Sequence, residues 1–358
     1  MPASAPIDVR ATSGGYRIVV EPGATRRMAS ALSIHGIARD AVVVSSPRVW
    51  AALGRRFARV TPILVPDGER AKTLATVSRV YEALLNRAAD RGSTIVAVGG
   101  GVLGDMVGFA AATYLRGLRL VQVPTTVMAQ VDSAIGGKVG VNHTRGKNLI
   151  GAFYPPALVL VDPEALQTLS AREFRAGLYE VIKYGLIADR SVLSLLESDL
   201  DGVRSQRGDA VVEMVRRCCR IKADVVSADE HERGLRRILN FGHTLGHALE
   251  SSTGYGRLRH GEAVGLGMRA ALALGVARGV TPATVAERAV ALLDRLGRLP
   301  DVSDVTVGAA LDAASRDKKV VNGRLHFVLI DEAGATTVAD VTRRELKAAL
   351  AVIGVRAA

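Results

Sequence analysis

Two periodicities alternate through the first 160 or so positions of the chain. Short β-branched runs recur at Arg17 to Val20, Ala41 to Val44, Pro62 to Val65, Thr94 to Val98, Leu120 to Val123 and Leu158 to Val161. Their length and composition predict strands. Between several of them lie helix-like stretches, among them Thr73 to Asn86 and Val102 to Tyr114. Strands alternating with helices predict βα units on a parallel sheet. After Pro163 the strand signal nearly vanishes. Glu173 to Ala188, Val192 to Glu197, Ala210 to Asp224, His243 to Glu250 and Glu262 to Ala277 all have the pattern of helices. A boundary near Asp162-Pro163 therefore separates an α/β domain, residues 1–162, from a mostly helical domain, residues 163–358. Two late β-prone runs, Leu325 to Ile330 and Ala335 to Val338, predict a small hairpin.

The length of 358 residues agrees with two domains. With 48% hydrophobic and 23% charged residues the chain has the balance of a globular protein rather than a disordered one. The start, Met1-Pro-Ala-Ser-Ala-Pro, lacks a basic region followed by an apolar core, so no signal peptide is expected. No apolar run is long enough to span a bilayer. The only cysteines, Cys218 and Cys219, are adjacent in a helical segment and suggest neither a disulfide framework nor a zinc knuckle. The expectation is a cytoplasmic protein without a membrane partner. A net charge of +12 raises nucleic acid as a ligand, but the basic residues are dispersed and aromatic residues are only 4%. Small anionic ligands fit that pattern, and nucleic acid is not expected.

The candidate chemistry is concentrated in a few segments. Gly99-Gly-Gly-Val-Leu-Gly-Asp105 follows a predicted strand and opens a predicted helix, where glycines let backbone amides approach a pyrophosphate. It comes late in the chain, and the next strand ends Val123-Pro-Thr-Thr126 without an acid, which argues against a plain Rossmann dehydrogenase. Asp132-Ser-Ala-Ile-Gly-Gly-Lys138 and Gly146-Lys-Asn148 combine glycines with lysines, as anion-binding loops do, but neither has the spacing of a nucleotide-triphosphatase loop. Asn240-Phe-Gly-His243-Thr-Leu-Gly-His247 and His260-Gly-Glu262 bring together three of the seven histidines. His243 and His247, four apart, share one helix face. Glu180-Val-Ile-Lys183 places two charges in an apolar helical stretch, where each needs a partner. Glu180 with His243 and either His247 or His260 would make a one-carboxylate, two-imidazole metal site with open positions, the pattern of catalytic zinc. The plainer readings are tight-turn glycines, solvated lysines, a helix-surface ion pair and hydrogen-bonded helix histidines.

Taken in order with Thr113-Tyr-Leu-Arg-Gly117 and Gly146-Lys-Asn-Leu-Ile-Gly-Ala-Phe153, these motifs resemble the 3-dehydroquinate synthase family of sugar-phosphate cyclases, and the likeness runs from about Pro66 to Val328. The resemblance implies a Rossmann-like α/β NAD-binding domain, a helical metal-binding domain with a cleft between the two, and a homodimer. It implies zinc or cobalt on Glu180, His243 and His260, with His247 as a proton-relay residue facing the substrate. NAD contacts are implied for Glu69, Lys72, Gly100, Gly101, Val102, Asp105, Thr125, Thr126, Lys138, Lys147 and Thr168. Asp132, Lys138, Asn148, Lys183, Lys222, Arg236, Asn240 and Lys319 would hold the substrate, with Lys318 as the alternative to Lys319, and Arg116 would reach its phosphate from the neighbouring subunit. The implied reaction converts 3-deoxy-D-arabino-heptulosonate 7-phosphate to 3-dehydroquinate by oxidation with NAD, β-elimination of phosphate, reduction and intramolecular aldol closure. An amino-dehydroquinate synthase or another sugar-phosphate cyclase is the alternative, and a related metal-dependent alcohol dehydrogenase is disfavoured because that family usually pairs an Asp with its histidines. Two positions depart from the family pattern: Tyr179 stands before Glu180 in place of a small residue, and Ser45-Ser46 ends the second predicted strand where an acid or amide is common.

Overall fold

The computed structural model describes residues 5–12, 14–37, 41–57, 60–315, 320–321, 324–325, 327–338 and 340–357. The chain forms two compact units, residues 1–170 with 201–231, and residues 171–200 with 232–358.

The first unit is built on a seven-stranded sheet. Its strands are β1 (Ile7–Val9), β2 (Tyr16–Val20), β3 (Val42–Ser45), β4 (Ile63–Leu64), β5 (Thr94–Gly99), β6 (Arg119–Pro124) and, after a separate hairpin of β7 (Lys138–His143) and β8 (Gly146–Phe153), β9 (Leu158–Val161). The order across the sheet is β1-β2-β9-β6-β5-β3-β4. Only the β1–β2 pair is antiparallel, so the six strands expected from the sequence are the six parallel ones. Every residue of β5 is buried. That explains its unbroken apolar run, because a central parallel strand is covered on both faces.

Helices α1 (Met28–Ile34) and α2 (Pro47–Leu53) cover one face, where Leu32 and Leu53 join Val96, Val98, Val121 and Leu160 in one core. Helices α3 (Leu74–Leu85) and α4 (Gly101–Thr113) cover the other, with Val77, Val80, Met106 and Ala110 packed among Ile95, Ala97 and Leu120. Ser46 and Thr73 cap α2 and α3 by accepting the Val49 and Thr76 amides.

The chain enters the second unit with α5 (Ala171–Ile187) and α6 (Arg190–Ser198). It returns to the first through the short α7 (Leu200–Arg204) with α8 (Asp209–Ala228). Helix α8 is tied there by the Arg10 amide donating to Ser227 Oγ at 2.9 Å, and the following loop by the Thr12 amide and hydroxyl donating to Glu230 at 2.8 and 2.7 Å. Cys218 and Cys219 are free, buried thiols, and burial pushes Cys219 up to about 12. They are packing residues. The rest of the second unit is α9 (His243–Ser252), α10 (His260–Ala277), α11 (Ala283–Leu296), α12 (Val307–Ser315) and α13 (Arg343–Val352). Its antiparallel pair Phe327–Ile330 and Ala335–Val338 is the expected late hairpin. Among the described residues no helix is long and apolar enough to cross a membrane.

Candidate functional site

In the first unit the glycine-rich turn joins β5 to α4. Gly100 stands at the N-cap of α4 without a side-chain cap, so the first amides of that helix are left for an anion. The glycines are needed for close approach as well: a Cβ on Gly101 would lie 2.6 Å from Ser133 Oγ, and one on Gly104 2.9 Å from Gln122 Oε1. Thr125 follows β6 and donates its amide to the Gly99 carbonyl at 2.9 Å, while Thr126 Oγ1 accepts from the Ala129 amide. Asp132 lies just beyond on a π-helical turn, Ala129–Ser133, a form often found at functional sites. Lys222 from α8 sets its ammonium 2.5 Å from the Asp132 carboxylate.

One turn into α4, Asp105 meets Lys72. The Lys72 Nζ is 2.5 Å from Asp105 and 2.6 Å from Asn148 Oδ1, with Lys72 almost wholly buried. Burial pushes the Asp105 carboxyl above its ordinary range, Lys72 draws it back, and the nearby Glu69 and Asp132 charges act with burial. Glu69 in turn holds Lys147 at 3.8 Å and the Asn142 amide at 2.7 Å. Residues expected on the cofactor side (Glu69, Lys72, Asp105, Lys147) and Asn148, expected on the substrate side, thus form one network. Thr168 turns its hydroxyl onto the Ala165 carbonyl of its own turn. Leu115 and Arg116 are consecutive residues with positive φ, 50° and 70°, ahead of Gly117 at 133°. Two such non-glycine residues in a row are strained and present Arg116 on a defined turn.

In the second unit Glu180 and Lys183 are fully buried on α5, with Lys183 Nζ 2.5 Å from Glu180 Oε2. The other oxygen, Oε1, faces His243 Nε2 at 3.4 Å and His260 Nε2 at 3.7 Å. Neither carboxylate oxygen has a hydrogen bond of good geometry. The far sides of both rings are occupied: His243 Nδ1 meets the Phe241 carbonyl at 3.1 Å and His260 Nδ1 the buried Glu250 carboxylate at 3.0 Å. Both partners accept, so each Nδ1 carries a proton, and in the neutral form of each ring the Nε2 lone pair turns inward. Two lone pairs and a carboxylate oxygen then converge, which is repulsive without a cation among them. Ligand atoms about 2.1 Å from a tetrahedral ion stand about 3.4 Å apart, close to the spacing seen. His247 completes a triangle of imidazoles with His243 and His260 at centroid distances of 5.4 and 5.5 Å, and the ring nitrogens of the three reach within 4.8 Å of one another. Protonating all three rings would set three like charges together, so a metal ion suits the donors better than protons.

Glycines let the helices that carry Glu180, His243 and His260 touch backbone to backbone. A Cβ on Gly261 would fall 1.8 Å from the Ala176 carbonyl oxygen of α5, and one on Gly267 1.9 Å from the Gly242 carbonyl. Gly246 meets the α10 backbone at Ala263 and Val264, and Gly265 meets the ring of Tyr179. Tyr179 therefore fills the space between α5 and α10, and its hydroxyl donates to the Gly297 carbonyl at 3.4 Å.

Arg236 is buried in the turn before α9, and Asn240 donates its amide to Glu232 at 2.7 Å. Glu232, held at φ 57°, and Asn142 are site residues that the sequence reading missed. A lone glutamate in a charged loop and an asparagine in a hairpin carry no spacing that would mark them. Ser45 and Ser46 are used by the fold, Ser45 Oγ donating to the Val98 carbonyl and Ser46 capping α2. Lys318 and Lys319 lie outside the described residues.

Residues 62–176 match the family model described as 3-dehydroquinate synthase N-terminal, and residues 177–320 the one described as 3-dehydroquinate synthase C-terminal. The chain belongs to the 3-dehydroquinate synthase family. It is 45% identical over 347 residues to the 3-dehydroquinate synthase of Nostoc punctiforme, covering 93% of this chain and 95% of that protein. Among solved structures it is similar to ValA, a 2-epi-5-epi-valiolone synthase from Streptomyces hygroscopicus subsp. jinggangensis with NAD+ and Zn2+ bound, at a TM-score of 0.86, 30% identity and 99% coverage of both chains. A 2-deoxy-scyllo-inosose synthase complexed with carbaglucose-6-phosphate, NAD+ and Co2+ follows at a TM-score of 0.83 and 26% identity, covering 98% of this chain and 99% of that one. Of these three, the 3-dehydroquinate synthase is the more similar in sequence.

Proposed function

We propose that this chain converts 3-deoxy-D-arabino-heptulosonate 7-phosphate to 3-dehydroquinate and inorganic phosphate, as a carbon–oxygen lyase that uses NAD and a divalent metal, zinc or cobalt. The observation that carries the reading is the inward convergence of Glu180 Oε1 with the Nε2 atoms of His243 and His260, in a chain of this family. Glu180, His243 and His260 would hold the metal, and the Gly99–Gly101 turn with Thr125, Thr126, Asp105 and Lys72 would hold NAD. NAD would supply a hydride acceptor that is regenerated within each turnover and the metal a Lewis acid for a substrate hydroxyl, which leaves the overall reaction redox-neutral.

The chain's own residues position and neutralise a flexible dianion. Lys222 and Arg236 supply cations for the carboxylate and phosphate, and Asp132 orients the Lys222 ammonium. Lys183 and Asn240 offer donors to hydroxyl and carbonyl oxygens beside the metal ligands, and Lys138 supplies a further ammonium to the substrate. His247, whose ring lies 5.4 and 5.5 Å from those of His243 and His260, is assigned in this reading to the proton relay at the substrate. Because elimination and ring closure need little more than the right conformer, holding the substrate is the main catalytic task. A homodimer in which Arg116 reaches the phosphate held by the other copy belongs to the same reading. Mixing Arg116→Ala chains with His247→Ala chains should then recover turnover that neither has alone.

Incubating the chain with NAD, zinc or cobalt and the heptulosonate phosphate should release phosphate and a product that a dehydroquinase consumes. Phosphate release without that product would refute the reading, and net accumulation of NADH would point to a dehydrogenase. Competing the amino-substituted substrate against the oxygen one decides between the two synthases.

A further inference from the structure

Asn142 lies on β7 where the hairpin register shifts, between the Val141–Ile150 and His143–Gly146 pairs. The strand geometry does not require an asparagine there, yet each of its amide groups is engaged. Its Oδ1 accepts the Asn148 N–H at 2.9 Å, across the irregularity in the ladder. Its Nδ2 donates to Glu69 Oε1 at 2.7 Å and to the Glu69 carbonyl at 3.3 Å. Its backbone N–H donates to the Lys72 carbonyl at 2.9 Å. Lys72 then closes the circuit through its side chain, 2.6 Å from Asn148 Oδ1. Asn148 itself is held at φ 52°, a left-handed conformation that costs energy without local support.

We propose that Asn142 is a positioning residue that locks the cofactor-side turn, Glu69 to Lys72, to the substrate-side residue Asn148, with the two ends of its amide serving different ligands. The donor end orients the Glu69 carboxylate beside the dinucleotide. The acceptor end keeps Asn148 in its left-handed conformation, from which its side chain reaches Lys72. The ligand assignment rests on the function proposed above; the circuit of bonds does not.

The two ends can be separated. Asn142→Ala removes both, whereas Asn142→Asp keeps an acceptor for the Asn148 N–H and sets a carboxylate against Glu69. In the full chain, NAD affinity is measured by calorimetry, KM and kcat by phosphate release, and amide exchange of the segment 146–149 by mass spectrometry. Asn142→Ala should speed exchange and raise both the NAD Kd and the substrate KM about fivefold, with kcat within about twofold, the scale of one lost hydrogen bond on each side. Asn142→Asp should raise the NAD Kd about fivefold while KM and exchange stay within about twofold of wild type. Adding Glu69→Gln to Asn142→Asp restores the bond with donor and acceptor exchanged, and should recover NAD affinity relative to Glu69→Gln alone.

A merely structural asparagine would give equal losses in both constants with either variant and no recovery in the double one, and that result overturns the proposal. So does an Asn142→Ala chain with unchanged exchange. A wild-type chain with no affinity for NAD would overturn the functional reading and the ligand assignment with it, while the exchange data alone would still decide whether Asn142 holds Asn148.

Discussion

Replacing Gly261 with alanine tests how the candidate metal site is held together. Gly261 is the second residue of α10, directly after His260, and the added Cβ would lie 1.8 Å from the Ala176 carbonyl oxygen, 2.7 Å from its carbon and 3.3 Å from its Cα. An ordinary contact between carbon and oxygen is about 3.3 Å, so the two helices must separate by about 1.5 Å. No rotamer relieves this, because the obstacle is backbone. Ala176 is one turn before Glu180, so the movement falls between Glu180 and His260. Overpacking in cores costs about 1–3 kcal/mol, and a backbone clash belongs at the upper end. About 3 kcal/mol in a unit of this size corresponds to a fall of about 6 to 12 °C in its melting transition. Bonds to a metal near 2.1 Å do not stretch by that much, so affinity should fall by at least about tenfold to a hundredfold. Calorimetry with chelator and with zinc, together with a cobalt titration followed by absorbance, measures both effects. Gly308→Ala is the control, since that glycine is exposed on the outer face of α12 with only Thr306 Oγ1 at 4.0 Å, and alanine there should be neutral or stabilising by up to about 1 kcal/mol. A Gly261→Ala chain that melts with wild-type protein and binds one metal with unchanged affinity would refute the reasoning.

Glu180→Gln and His260→Ala should lose metal after gel filtration while His247→Ala keeps it and loses turnover; equal loss in all three would put His247 in the ligand set. Lys72→Met removes the cation from Asp105 and Asn148, and should weaken NAD binding about tenfold or more, because it strands a part-buried carboxyl whose pKa burial already raises; an unchanged Kd in an NAD titration would exclude Lys72 from the cofactor site. Hydrogen bonds from Arg278 and the Thr342 cap hold Glu345 down to about 2. Its folded pKa lies below the unfolded value, so its stabilisation is complete above the ordinary glutamate range and is lost as pH falls from there towards 2. The melting temperature of Glu345→Gln should therefore trail wild type at neutral pH, the gap closing from the ordinary glutamate range downward and vanishing only as pH approaches about 2, and a constant gap would refute the assignment.

The six parallel strands were legible because burial on both faces demands runs such as Ile95-Val-Ala-Val98, which no loop resembles. Strand β1 has only three residues with Asp8 in the middle, too short for a period to register. The β7–β8 hairpin was read as loop because it is rich in glycine and charge. Its glycines serve the pairing, since a Cβ on Gly140 would meet the Ile150 carbonyl oxygen at 2.6 Å and one on Gly151 the Val139 carbonyl oxygen at 2.5 Å. Spacing alone could not rank His247 against His260, because helical geometry puts His243 and His247 on one face. In the structure Glu180 Oε1 faces His243 and His260, carried on two other helices, and the three imidazoles stand together. Residues whose role is to hold another residue, Asn142 and Glu232, leave no trace in a single sequence, since their partners are set by tertiary structure.

The return of α8 to the first unit has a consequence for synthesis on the ribosome. The β1 end of the first unit is tied by Arg10 to Ser227 and by Thr12 to Glu230, separations of 217 and 218 residues. A nascent chain that has released every strand of the seven-stranded sheet must still wait for α5, α6 and much of α8 to emerge before Lys222 can reach Asp132. At about 5–20 residues per second that delay lasts several seconds, during which the sheet lacks the helix that carries the buried Cys218 and Cys219. A gene split after residue 162 would make the delay permanent, and two fragments cut after residue 231 should reassemble more readily than two cut at the point where the strand signal ends.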